Sequence, residues 1–185
     1  MDIVVLGLLA ILLLVALWFA GIYNGFVKLV NQAKEALADI DVQLKRRFDL
    51  IPNLLETVKG YAAHEKETFD RVTQARTAAM SATGMKGQAE ANDQLTGALK
   101  SLFAVSENYP ELKAAANFLE LQRELSDTED KIQASRRFYN ANVRDLNIKV
   151  QSFPDNIVAN MFGFKVMELY VIADAAQKEA PQVKF

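Results

Sequence analysis

His64 is the single imidazole in a chain of 185 residues that contains no cysteine. Any Ser-His-Asp device would have to use it, and no G-x-S-x-G elbow accompanies it. His64 is followed by Glu65, but Thr68 stands where the second histidine of an H-E-x-x-H zinc site belongs. The E-x-x-H pairs of carboxylate-bridged di-iron bundles are missing, as is a glycine loop that could cradle phosphate. Without Cys, thiol catalysis, zinc fingers and cysteine-held clusters are excluded. The expectation is a histidine that makes ordinary hydrogen bonds, with no catalytic, cofactor-binding or metal residues and no cofactor.

Charges that interrupt apolar stripes are more informative. Three-four spacing carried on from Leu44 reaches Arg47, and from Tyr61 it reaches Glu65. Farther along, Gln122, Glu129 and Arg136 fall on the stripe of Leu119 and Ile132. Buried charges must be paired, so Arg47, Glu65, Glu129 and Arg136 are candidates for an interhelical polar ladder that sets register. A catalytic pair in a pocket, and a stripe that simply drifts past these positions, are the alternatives. Lys45-Arg46-Arg47 is the densest basic run. Headgroups or an acidic partner are conceivable targets, but the run lies about 35 Å along a straight helix from the apolar segment, well beyond a Debye length of about 8 Å. A solvated face is preferred for it.

The elements that must carry these residues begin with an apolar run. Residues 3–22 contain nothing but apolar side chains and Gly. At about 1.5 Å per residue the run spans about 30 Å, the thickness of a bilayer's hydrocarbon core. Trp18 and Tyr23 near one end suit an interface. A cleaved leader is the alternative, opposed by the length of the run, the bare Met-Asp before it and the poor cleavage context Trp18-Phe19-Ala20. Lys28, Lys34, Lys45, Arg46 and Arg47 follow the span, so the positive-inside rule puts the N-terminus outside and the helical domain in the cytoplasm. A net charge of -2 argues against a nucleic-acid partner.

Gly (8) and Pro (4) are scarce, and no period-2 run of β-branched residues occurs, so long helices without a sheet are expected. A helical stripe runs from residue 24 to about 83, with a kink or restart expected at Pro52. Gly84-Met85-Lys86-Gly87 reads as an interhelical turn, followed by helices over 90–107 and 111–151. Inward positions in the third helix are Leu112, Ala116, Leu119, Ile132, Tyr139, Val143, Leu146 and Val150. A last helix runs from 155 or 156 to about 176 before a loose tail, 177–185. Asp41–Lys45, Glu67–Arg71, Asp127–Lys131 and Asp145–Lys149 are spaced to form i,i+4 pairs. The fold class is all-α: an N-terminal anchor, 1–23, continuing into the long helix of an antiparallel, four-helix type bundle, 24–176. How the helices connect beyond the first is left open.

The strings IDVQLKRRFDLIPNLL (40–55) and VKGYAAHE (58–65) are distinctive. So are ELQRELSDTEDKI (120–132), RRFYNANVRDLN (136–147) and FPDNIVANMFGF (153–164). Together they resemble the bacterial LemA family of membrane-anchored helical proteins, from the anchor to about Phe164. The resemblance implies one N-terminal span and a helical bundle, hints at a scaffold or adaptor role in the envelope, and transfers no catalytic residue.

Phe153, Met161, Phe162 and Phe164 gather aromatics and Met around turn residues. They either close one end of the core or form an exposed patch for self-association or docking. The functional expectation is a non-enzymatic single-pass scaffold at the bacterial inner membrane that self-associates as a homo-oligomer, with the lipid bilayer as its first partner. An adaptor for another envelope protein, such as a membrane protease, is the alternative.

Overall fold

Low Gly and Pro content leaves little to stop a helix, and the described residues are helical almost throughout. A computed structural model describes residues 2–171. Its helices are α1 (Asp2–Lys59), α2 (Lys66–Ser81), α3 (Met85–Ser106), α4 (Pro110–Ala114), α5 (Ala116–Gln151) and α6 (Asp155–Phe162). No strand occurs among the described residues. The apolar start of α1 is long and apolar enough to cross a membrane, and its side chains are exposed.

The described residues divide into two compact units. One holds residues 2–39 and 134–169, and the other holds 40–133 with 170 and 171. Thus α1 and α5 each contribute to both.

In the 40–133 unit, Ile51, Leu54 and Val58 of α1 pack with Phe69 and Val72 of α2, Leu95 and Leu102 of α3, Leu112, Phe118 and Leu125. Pro52 lies inside α1, so the restart that was one of the two expected outcomes does not occur there. Buried neighbours on both sides, Ile51, Leu54 and Leu55, hold the helix through it. The carbonyl that proline leaves without its usual donor, that of Phe48, accepts a hydrogen bond from Arg76 Nε of α2 at 2.9 Å. The break comes instead at 60–65. There Tyr61 and Ala62 N–H both close on Val58 O, and Ala62 is buried.

Gly84, with φ 74°, starts α3 earlier than expected and leaves Gly87 inside the helix. The expected helix from 111 is interrupted at Ala115, whose extended backbone ends α4. That interruption resets the helical phase: Phe118 is buried, whereas Ala116 and Leu119, expected inside, are exposed.

In the other unit, Ile22 and Phe26 of α1, Leu146 of α5, and Val158 and Ala159 of α6 form a small core with Phe164 and Met167 against it. The expected last helix is shorter than expected: Gly163 adopts φ 73° and caps α6, its N–H bonding Ala159 O. Residues 164–171 are non-helical, and the expected tail 177–185 lies outside the described residues. The return segment is fastened to α5. Asn147 Nδ2 donates to Met167 O at 2.9 Å and Oδ1 accepts from Met167 N–H at 2.8 Å. Tyr139 Oη donates to Glu168 O at 2.9 Å.

Candidate functional site

Arg47 is a residue whose burial needs explaining. It lies on the inward face of α1 at 3% exposure, while its neighbours Lys45 and Arg46 face solvent. The basic run therefore splits, and the solvated-face expectation fails for Arg47 because the stripe of Ile40, Leu44 and Ile51 turns it inward. Its Nη1 meets Glu129 Oε2 of α5 at 2.9 Å and its Nη2 donates to Thr96 Oγ1 of α3 at 2.8 Å. Glu129 Oε1 accepts from Gln133 Nε2 at 2.9 Å. One guanidinium fork thus ties three helices. A cleft of about 230 Å³ beside it is bordered by Lys100, Phe103, Gln122 and Asp130.

Of the four proposed ladder residues, Arg47 and Glu129 meet directly. Glu65 accepts instead from Tyr109 Oη at 3.1 Å, which raises the Tyr109 phenol pKa by holding its proton. Arg136 is buried in the unit that contains residues 134–169. His64 sits exposed in the α1–α2 connection. Among the described residues no three His, Asp or Glu side chains gather as a metal-binding group. This polar cluster is equipped to hold helices in register.

Surface pairs form partly as spaced. Glu67–Arg71 and Asp127–Lys131 are ion pairs, the latter lowering the Asp127 pKa. Lys45 turns to Asp49 rather than Asp41, and Lys149 to Asp155 rather than Asp145.

The second cluster lies where the apolar run of α1 ends. Phe162 packs its ring 6.0 Å from Phe19 and 4.8 Å from Tyr23, and Phe164 stacks on Phe26 at 4.7 Å. Lys149 Nζ sits 5.1 Å from the Phe26 ring centroid and 3.2 Å from Asp155 Oδ1. Its stem crosses Gly25, where an added Cβ would come 3.3 Å from Lys149 Cε. Of the four aromatic and Met candidates, Phe164 packs into this core, Phe162 is shared between core and surface, and Phe153 and Met161 are exposed. Tyr139 is buried, and desolvation pushes its phenol pKa up.

Sequence reasoning missed Thr96, Arg76 and Asn147, and gave Lys149 the wrong partner. Pro52 announces a carbonyl in need of a donor, but nothing local says that Arg76 supplies it.

With this geometry in place, comparison with known proteins settles the family. The profile of the LemA family matches residues 36–185. The chain belongs to the LemA family. Protein LemA of Metamycoplasma hominis is 30% identical over 172 residues, covering 89% of this chain and 74% of that protein. Magnetosome protein MamQ of Magnetospirillum gryphiswaldense is 25% identical over 174 residues, covering 80% of this chain and 64% of that protein. Magnetosome protein MamQ 2 of Paramagnetospirillum magneticum is 26% identical with the same coverage. The chain thus spans just under two thirds of the length of the magnetosome proteins. This LemA-family chain is a membrane-associated helical protein with an N-terminal apolar anchor.

Proposed function

We propose that this LemA-family protein is a non-enzymatic, single-pass scaffold of the bacterial inner membrane that self-associates through its helical domain, with that domain on the cytoplasmic side. The carrying observation is the outward face of α5, where Ala134, Phe138, Ala141 and Ile148 follow helical steps of four, three and seven. Phe138 is 50% and Ile148 57% exposed, and Arg137, Arg144 and Asp145 flank them. Such a stripe suits a second helix, and charges of both signs let a second copy of the same face be complementary. Anchoring every copy in one membrane raises its effective concentration, so weak lateral contacts suffice. Similarity to magnetosome proteins accords with a role at a membrane.

The test is the mass of the full-length protein, extracted in mild detergent and measured by light scattering. A discrete high-order species is expected. A monomer would overturn the scaffold, and a monomer that retains a different chain would reassign the α5 face to the adaptor reading.

A further inference from the structure

In helix α6, Val158 and Ala159 face inward against Ile22, Phe26 and Leu146. The outward side carries large apolar side chains as well, beside the exposed Asn160. Phe153, just before the helix, is 80% exposed, and Ile157 and Met161 follow at steps of four, with Met161 at 65%. Phe162, on the inward side with Val158 and Ala159, is nevertheless half exposed. Solvent is a poor match for four large apolar side chains in so short a stretch.

Their depth relative to the anchor identifies what covers them. Phe162 touches Phe19, which lies inside the apolar run and about 4.5 Å short of its end at Ile22 on a straight helix. It also closes an apolar groove of about 580 Å³ lined by Leu12, Val15, Ala16, Phe19 and Tyr23, all on the anchor. At the start of α6, Asp155 is held by Lys149, which lies over Phe26 just past the run. The helix therefore descends from the level of Phe26 toward that of Phe19. Its exposed apolar side chains thus lie at the level where the apolar run of α1 ends.

We infer that α6 is a membrane-interface element whose Phe153, Ile157, Met161 and Phe162 side chains lie among lipid at the boundary between headgroups and acyl chains. Burial of about 5–10 Å is ordinary for such helices. Hydrocarbon takes up the apolar face, while Asp155 and Lys149 neutralise each other at the polar end. The inference rests on the anchor alone and stands whether or not the chain self-associates.

The absence of cysteine allows a direct test on the full-length chain. Ile157→Cys and Met161→Cys each carry one nitroxide label in phosphatidylcholine vesicles. Leu9→Cys marks the hydrocarbon and Val42→Cys, on an exposed position, marks water. Labels at 157 and 161 are expected to respond more strongly to oxygen than to a water-soluble nickel chelate, with a ratio between the two references. A ratio equal to that at Val42 would overturn the inference. Protection from both agents would also overturn it, by showing a protein contact such as a second copy. Should labelling disturb helicity, Met161→Trp in a Trp18→Phe background gives the same answer. Quenching by chain-brominated lipid supports the inference, and fluorescence unmoved by it refutes it.

Discussion

Arg76 and Pro52 show how one residue's defect is repaired by another 24 positions away. Arg76→Ala leaves the Phe48 carbonyl without its donor and should cost about 1–3 kcal/mol, the range for a buried acceptor left unsatisfied. Pro52→Ala returns a backbone N–H, so the same Arg76→Ala change should cost markedly less in that background. Equal cost in both, measured by denaturant melts of the full chain in detergent, would refute the coupling. Tyr139 makes a second prediction. Burial raises its pKa above the ordinary 10.0, so between the unfolded and folded values the folded chain holds a proton that the unfolded chain has lost. Its contribution is complete below about pH 10 and disappears as pH rises through the folded value. Tyr139→Phe should remove that part of the alkaline decline and cost about 1 kcal/mol at neutral pH through the lost bond to Glu168 O. An unchanged alkaline slope would count against it. At this scale the sequence was half legible. Arg47 could be placed on the inward stripe, but Thr96 as its partner could not, because the pair is separated by 49 positions and meets only when helices pack.

Among the elements, the return segment after α6 is joined to that helix by the Phe164 N–H bond to Ala159 O and fastened to α5 by side chains. Asn147→Ala removes both ends of the amide clasp on Met167, so amide exchange should accelerate across 164–169. Amides of Leu54 and Leu102, in the other unit's core, should keep their protection. Exchange that stays slow at Met167 would show that the aromatic packing alone holds the segment. The elements themselves were largely readable, since apolar residues at three-four spacing mark a buried helix face. Their interruptions were less so. Pro52 marks a kink or restart by its sequence, yet α1 runs through it and ends before Gly60, because burial on both sides of Pro52 outweighs one missing donor. The stop at Ala115 has no strong local signal, and it moved the inward face from Leu119 to Phe118.

For the whole molecule, the question is what the exposed apolar faces do once copies share a membrane. Phe138→Glu with Ile148→Glu places charge in the proposed α5 contact, and light scattering should report a smaller particle while circular dichroism stays helical. An assembly of unaltered mass would exclude this face from the contact. Substituting Ile157 and Met161 by Ser should leave the mass unchanged, because lipid rather than a second copy covers α6. Membrane attachment should persist in both variants, since residues 3–22 provide it.

Local composition and period were enough for the apolar N-terminal span and the all-helical class, because spanning length and helical spacing are properties of short windows, while the family resemblance lay in the distinctive strings themselves. Tertiary structure decided which charges meet and which carbonyl Arg76 serves. It also decided which aromatic residues close a core and which remain outside. These depend on distances between residues far apart in sequence. Phe164 and Met161 lie three positions apart in one aromatic and Met string, yet one stacks on Phe26 and the other projects outward. The left-handed turn at Gly163 separates them, and only packing against α1 and α5 gives that turn its consequence.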